Sequence, residues 1–289
     1  MSISLNPTES YIDASIYGQD FSSMCLSLQL SLNEVSFAIT NTNLGNCMAI
    51  VSYTFPEKIS IPLLAGFIEN SLYKQTLLKN DFLKVFISYK NDTATLIPSK
   101  LYDVTQISSY LKNSDSDTPD SSILSDFIKE IDAYNIYSFP KSIEEIILKK
   151  FTNSYIIHHS TNLIQGIYNN LSLKNEIDTF FVNICNNEFD LIVISNSKLL
   201  IYNSFKFKFK EDFLYYLLFS LKQINSNPSN IKLNLIGKIA GESSIHQILL
   251  KYISEVNFCT NSISENLNNL LMDQPEYYYF SLLNLNKCG

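Results

Sequence analysis

The apolar and polar positions of the chain form strand and helix patterns in an order that occurs twice. A polar N-terminal stretch, residues 1–20, predicts an extended arm. Three closely spaced strand patterns then precede a helix, a strand, a second helix and a further strand, and from about residue 177 this order returns. The strand patterns cover 24–30, 34–40, 46–54, 83–90, 94–98, 155–159, 178–185, 189–195, 198–208, 231–237 and 256–259. The helix patterns cover 61–79, 99–112, 141–151, 160–170, 211–224 and 243–253. The repeated order predicts an internal duplication in an α/β protein.

The stretch NSFKFKFKEDFLYYLLFSLKQI, residues 203–224, is the most distinctive local pattern. A strand would separate its Phe and Lys side chains onto opposite sides: Phe205, Phe207 and Phe209 on one, Lys206, Lys208 and Lys210 on the other. This predicts a core-facing Phe side and a Lys side at solvent or at a charged sheet edge. The helix behind it is apolar on nearly every side from Phe213 to Phe219, which predicts packing between a sheet and other elements. Partner, lipid or nucleic-acid binding are the alternatives for this stretch.

Local signals also predict one loop and two helix caps. Residues 113–122, NSDSDTPDSS, are acidic and Ser-rich, and they lack the Gly turn and distal Glu of a calcium loop, so we predict a solvated loop or linker. Capping boxes are predicted from Ser142 to Glu145 and from Ser244 to Gln247.

Composition excludes several classes of protein. The net charge of −7 and the pI of about 5.0 argue against a nucleic-acid-binding protein. All 21 basic residues are Lys, so side-chain recognition of phosphate would depend on Lys and backbone groups rather than on Arg. The five Cys are widely spaced with no C-x-x-C, which signals neither a zinc site nor a disulfide framework. The N-terminus has no secretion signal and no apolar run reaches the ~18 residues of a membrane span, so a cytoplasmic protein is expected.

Other candidate chemistry is weak. The segment GKIAGESS, residues 237–244, has Gly and Lys near Ser before a helix but lacks the order of a P-loop. His158 and His159 are adjacent and would face opposite ways on a strand, so they cannot share a metal. His246 lies far from both in sequence. We name no metal site and no catalytic residue from these signals.

The order of elements resembles the actin-like ATPase superfamily, with its two ribonuclease-H-like halves. More narrowly, the chain resembles an uncharacterised bacterial family with that fold, catalogued only as a domain of unknown function. A distant similarity to actin-like assembly proteins of type IV pilus systems accompanies it. The resembling stretches are DAYNIYSFPKSIEEII, HHSTNLI, NSFKFKFKEDFLYYLLFSL, LNLIGKIAGESSIHQILLKYISEV and PEYYYFSLLNLNKCG.

This resemblance implies a duplicated ribonuclease-H-like architecture, with two lobes around a cleft and mixed sheets flanked by helices. The first lobe would cover residues 1–172 and contain the acidic loop. The second would cover residues 173–289, with a C-terminal helix at 275–287 that packs back on the first lobe.

Nucleotide chemistry in that superfamily depends on three loops, which the resemblance locates here. Two are strand hairpins with Asp and Gly, and the third is a Gly-rich turn near the adenosine. In the first hairpin, Gln29 stands in the Asp position and Ser31 in the Gly position. In the second, Asn183 stands in the Asp position, Cys185, Asn186 and Asn187 fill the Gly run, and Asp190 is kept. The third retains Gly237, followed by Lys238 and Ile239 where small residues would be needed.

These substitutions predict a pseudo-ATPase, in which the fold is kept and magnesium-dependent hydrolysis is lost. The protein would be a non-enzymatic interaction or scaffold module with an unknown protein partner and no cofactor. The alternative is a nucleotide-binding actin-like ATPase or ATP sensor, with ATP and magnesium bound and slow or no turnover. Asp190 and Gly237 also have a purely structural interpretation, as a hairpin acid and a turn glycine.

Overall fold

The computed structural model of the chain describes residues 5–111, 120–170, 178–259, 270–271 and 274–287. The chain divides into two compact units. Among the described residues, the first unit contains 5–111, 120–166, 270–271 and 281–287, and the second contains 167–170, 178–259 and 274–280. The predicted lobe boundary at 172/173 lies outside the described residues and stays a prediction. No described helix is long and apolar enough to cross a membrane.

The strands and helices follow the predicted order closely. The strands are β1 (Glu9–Ile12), β2 (Met24–Leu30), β3 (Glu34–Asn41), β4 (Asn46–Thr54), β5 (Lys84–Tyr89), β6 (Ala94–Pro98), β7 (Ser121–Ile128), β8 (Ala133–Pro140), β9 (Ser154–His158), β10 (Thr179–Cys185), β11 (Glu188–Ser195), β12 (Lys198–Lys206), β13 (Lys232–Gly237) and β14 (Glu255–Phe258). The helices are α1 (Ile61–Asn70), α2 (Lys141–Lys150), α3 (His159–Asn170), α4 (Lys210–Gln223), α5 (Ser244–Tyr252) and α6 (Phe280–Asn284).

Sheet topology confirms the predicted duplication. The second unit has the strand order β12-β11-β10-β13-β14, and the first contains the same order as β4-β3-β2-β5-β9. In each sheet, three consecutive strands pair antiparallel to one another. Two further strands extend the sheet beyond the first of these three, and both run parallel to it. One helix pair lies with each sheet, since α1 contacts α2 and α4 contacts α5. The first unit adds β1 beside β4, so part of the predicted extended arm is a sheet strand.

A separate three-stranded sheet, β6-β8-β7, interrupts the repeat in the first unit. Neither β7 nor β8 was predicted. Ser, Asn and Asp interrupt the apolar residues of both segments, which weakens the strand pattern. The predicted loop 113–122 therefore ends early, since Ser121 and Ser122 already belong to β7. Most of that loop, residues 113–119, lies outside the described residues.

Two predicted helices are shorter or tighter than their patterns suggested. The helix predicted at 61–79 ends at Asn70 and continues as two 3₁₀ turns. The side chain of Asn70 donates to the carbonyl of Gly66 at 3.0 Å, a local bond of the kind that competes with helix continuation. The helix predicted at 99–112 is instead two 3₁₀ segments, Ser99–Leu101 and Val104–Leu111, in which Leu101 and Val104 are exposed and Leu111 is buried.

Both predicted capping boxes were wrong in detail. Pro140 occupies the N-cap of α2, so Ser142 and Glu145 lie inside the helix. In α5 the cap is Ser243, whose Oγ accepts from the His246 N–H at 3.2 Å. The Pro140 side chain makes no capping hydrogen bond, whereas the Ser243 hydroxyl satisfies a free N–H group of the first turn and so stabilises that terminus.

The Phe–Lys stretch agrees with its prediction only in part. Strand β12 ends at Lys206, and Phe205 and Phe207 pack against the core of the second unit. Phe209 is exposed and precedes α4, whose first turn is fixed by Asp212, with its carboxylate accepting from the Phe209 N–H at 3.0 Å. The helix is not covered on all sides either, because part of its surface is exposed.

The C-terminal helix predicted at 275–287 is instead a 3₁₀ turn, the short α6 and a second 3₁₀ turn. Leu285 is fully buried in a cluster with Cys25 and Phe86. Asn162 donates from Nδ2 to the carbonyl of Ser281 at 2.7 Å, so the end of the chain is hydrogen-bonded to α3.

Candidate functional site

The hairpin between β2 and β3 carries the first two predicted site residues. Gln29 pairs with Ser36, and the closing pair of the hairpin is Ser31 with Glu34. Ser31 accepts from the Glu34 N–H at Oγ, at 2.9 Å, and its own N–H donates to the Glu34 carbonyl, also at 2.9 Å. Ser31 therefore closes the turn with its side chain, which is an ordinary structural use of serine.

The hairpin between β10 and β11 repeats this geometry. Asn183 pairs with Asp190, and Cys185 pairs with Glu188 at the closing position. Asn186 adopts a φ of 55°, a conformation that asparagine tolerates better than most residues. The residues predicted in the Gly run therefore form a tight two-residue turn without any glycine.

Backbone contacts identify equivalent positions in the two hairpins. The Phe55 N–H donates to the Asn33 carbonyl, and the Phe207 N–H donates to the Asn187 carbonyl, each at 2.9 Å. Counting from these turns, Gln29 and Asn183 occupy the same position in their strands. Structure and sequence agree on this alignment, and it places an amide, not a carboxylate, at both sites.

Asp190 lies at the centre of a polar ladder across three strands. Its carboxylate accepts from Asn183 Nδ2 at 2.9 Å, from Ser204 Oγ at 2.5 Å and from the Tyr202 hydroxyl at 3.3 Å. Asp190 pairs in register with both Asn183 and Ser204, and its side chain is 0% exposed. A buried carboxylate with three side-chain donors is a satisfied structural group.

The equivalent ladder in the first unit is neutral. Gln29 on β2 pairs in register with Ser36 on β3 and with Ser88 on β5. Ser36 in turn pairs with Ser52 on β4. All three serines are buried, and among the described residues the hydroxyls of Ser52 and Ser88 have no hydrogen-bond partner. Ser36 thus stands where the second unit has Asp190, and it donates to Glu34 Oε1 at 2.7 Å.

Gly237 ends β13, where the chain passes very close to β10. Its φ is 85°, and a Cβ at this position would lie 2.1 Å from the Ile184 carbonyl oxygen and 2.8 Å from Asn183 Oδ1. The Lys238 N–H donates to the same Ile184 carbonyl at 2.9 Å. Backbone conformation and close approach both require glycine here, which is the structural interpretation of this residue.

Four of the six predicted site residues belong to the second unit: Asn183, Asp190, Gly237 and Lys238. The other two, Gln29 and Ser31, belong to the hairpin of the first unit. Sequence reasoning missed Glu34 and Glu188, which stand at equivalent closing positions of the two hairpins. The sequence signal that could have identified them is the Asn-Glu pair at the end of each turn, Asn33-Glu34 and Asn187-Glu188. Within the described ranges, no cluster of three or more His, Cys, Asp or Glu could hold a metal ion.

A buried polar network around Asp126 was also missed, because β7 was not predicted. Asp126 accepts from the His158 backbone N–H at 2.8 Å, from the Thr161 hydroxyl at 2.7 Å and from the Tyr137 hydroxyl at 3.1 Å. These contacts join the inserted sheet to the corner between β9 and α3.

Hydrogen bonds in this network set the protonation of His158. The Ser160 N–H points at His158 Nδ1 at 3.2 Å, so that nitrogen is an acceptor. The other nitrogen, Nε2, then carries the proton and donates to Asn91 Oδ1 at 3.2 Å. Neutral His158 is thus a satisfied buried residue.

Stability should depend on pH through Asp126. Burial raises its pKa from 3.8 to about 6, against the opposing effect of its three hydrogen bonds. The folded chain therefore binds a proton more tightly, and this stabilisation is full below roughly pH 4 and is lost as the pH rises to about 6. Solvent screens a half-buried carboxyl, so we expect about 1–2 kcal/mol to be lost.

Chemical unfolding of Asp126→Asn and of the wild type at both ends of that range measures this loss. The variant should lack that part of the pH dependence, and Asp81→Asn, which alters an exposed carboxyl, should keep it. A wild-type slope in Asp126→Asn would show that the carboxyl does not titrate there.

Comparison with known proteins supplies the wider context. A family model described as protein of unknown function (DUF3822) matches residues 19–256. A solved structure of a protein with an actin-like ATPase fold and unknown function, from Bacteroides thetaiotaomicron, is 21% identical with a TM-score of 0.73, over 88% of this chain and 97% of that one. The PilM–PilN type IV pilus biogenesis complex contains a chain with a TM-score of 0.61 and 10% identity, over 90% and 97%. No curated protein matches. These likenesses show that the chain has the actin-like ATPase fold.

Proposed function

We propose that this chain, which belongs to the DUF3822 family of unknown function, is a pseudo-ATPase that acts as a non-enzymatic interaction or scaffold module. The observation that carries the proposal is the state of Asp190. This retained acid is fully buried, and its carboxylate is occupied by Asn183, Ser204 and Tyr202.

Magnesium-dependent hydrolysis needs free carboxylate oxygens for the metal or for the attacking water. The hairpin positions supply amides at Gln29 and Asn183, and Asp190 has donors on both of its oxygens. A magnesium ion at Asp190 would have to displace these donors from a buried site. The residues present at Asp190 therefore do not fit the metal.

An interaction role is compatible with the fold. The PilM–PilN structure is a complex, so a protein of this fold can act together with a partner. The partner proposed here is a protein, because a net charge of −7 disfavours nucleic acid. A cytoplasmic location is part of this proposal.

A second candidate is a nucleotide-binding protein or ATP sensor with slow or no turnover. The specific observation in its favour is the pair Glu34 and Glu188, which provides one carboxylate at the turn of each hairpin. In this alternative the two glutamates replace the missing acids, and ATP with magnesium is a ligand.

Calorimetric titration with ATP and magnesium tests the proposal, with ADP as the control. We expect no binding heat and no thermal shift up to roughly millimolar nucleotide, and no phosphate release above background. Micromolar binding would contradict the loss of nucleotide binding. In that case Glu188→Gln should weaken binding by about tenfold or more, whereas Glu145→Gln, at an exposed acid on α2 outside the three loops, should not.

A further inference from the structure

Helix α4 exposes an aromatic stripe. Tyr215 is 62% exposed and Phe219 is 47% exposed. They lie one turn apart, and their rings stack with centroids 6.0 Å apart at an interplanar angle of 21°. The opposite side of the helix, with Phe213, Leu217 and Leu221, is buried in the core. Tyr215 and Phe219 therefore contribute little to the core of the second unit.

The equivalent helix of the first unit shows that the fold does not require this exposure. Helix α1 follows the third strand of its unit, as α4 does, yet it has no large exposed hydrophobic residue. The neighbouring α5 adds Leu250, which is 55% exposed. Exposed aromatic side chains at helical spacing are typical of a surface that is buried on association.

Charges at the two ends of the stripe indicate the occupant. Glu211 precedes Tyr215 by one turn, and Lys222 follows Phe219 by about one turn, so the stripe is Glu, Tyr, Phe, Lys along the helix. Glu211 is largely exposed and forms a long, solvent-exposed ion pair with Lys210, with 3.9 Å between Oε1 and Nζ. If two copies of α4 pack antiparallel through this stripe, each Glu211 lies beside a Lys222 and each Tyr215 beside a Phe219.

We propose that a second copy of this chain docks on α4, with the two helices antiparallel about a two-fold axis. Such an interface is isologous, so it contains two symmetry-related ion pairs, each between Glu211 of one copy and Lys222 of the other. Tyr215 and Phe219 form its centre, where aromatic residues contribute most to affinity. A parallel arrangement would place like charges together, and the acidic first turn of α4 is unsuited to an anionic membrane surface.

The interface is small, and we therefore expect a dissociation constant on the order of micromolar. Sedimentation of the full chain over roughly 1 to 500 μM should show a monomer–dimer equilibrium. The double variant Tyr215→Ala/Phe219→Ala should weaken the dimer at least about tenfold. Leu200→Ala, at an equally exposed residue in β12, is the matched control and should leave it unchanged.

Charge variants test the antiparallel geometry without relying on loss of association alone. Glu211→Lys and Lys222→Glu should each weaken self-association, because each creates two like-charged pairs. An equimolar mixture of the two variants should dimerise again, because both pairs are then opposite in charge. Thermal melts check that each variant is folded.

A wild type that stays monomeric throughout, or charge variants that associate as the wild type does, would overturn the proposal. A monomer would assign the aromatic stripe to a different protein. The result is independent of the nucleotide titration, since α4 contains none of the hairpin residues.

Discussion

Replacing Gly237 with alanine should cost the protein about 3 kcal/mol or more of folding free energy, or prevent folding. Its φ of 85° is unfavourable for any side chain, and the new methyl group would stand 2.1 Å from the Ile184 carbonyl oxygen. That oxygen belongs to the backbone of β10, at the centre of its sheet, so it cannot move away as a flexible side chain would. Urea unfolding followed by circular dichroism measures the loss.

Gly45 offers a matched control. It also has a positive φ, of 68°, but a Cβ there would meet nothing within 4 Å. Gly45→Ala should therefore show only the backbone cost, about 1 kcal/mol. Equal losses in the two variants would mean that close approach to β10 is not what requires Gly237, and would reopen a role in ligand binding.

Asp190→Ala should destabilise the protein by about 3 kcal/mol, a fall in melting temperature of roughly 10 °C. The substitution removes the acceptor of three donors, the buried amide of Asn183 and the more exposed hydroxyls of Tyr202 and Ser204. Tyr202→Phe removes a single donor from the same ladder and should cost about 1 kcal/mol. Differential scanning calorimetry compares the variants with the wild type.

The Asp190 result also bears on function. A residue retained for stability should be costly to remove whether or not nucleotide is present. Unchanged or higher stability in Asp190→Ala would show that the carboxylate is not a structural group. Acids retained for a ligand are often destabilising in its absence, so that outcome would favour the nucleotide-binding alternative.

Much of the fold was predictable because its signals are local. β2 and β4 begin and end at the predicted residues, and the remaining strands of the repeat agree within a few positions. A period of two marks a strand with one buried face, and short turns make consecutive strands pair. The correspondence of Gln29 with Asn183 was implied by the resemblance to the actin-like superfamily, and the register of the two hairpins matches it.

The errors occurred where local preference left several solutions of similar energy. A helix was predicted at 99–112, but the chain forms two 3₁₀ segments there and leaves Leu101 and Val104 exposed. The helix starts also differ from the predicted caps by one or two residues, with Pro140 and Ser243 at the N-cap positions.

The sequence by itself determined the order of most strands and helices along the chain and their duplication, because these depend on residue type and on spacing over a few positions. The amides in the hairpins were identified through the family resemblance, and the order of strands within each sheet is seen only in the structure. Only the tertiary structure decided the roles of Asp190, Gly237 and Asp126. Each depends on contacts with residues on other strands, such as the approach of Gly237 to Ile184 across more than fifty positions. The same holds for the exposed stripe on α4, because periodicity shows which residues share a face but not whether a neighbouring element covers it.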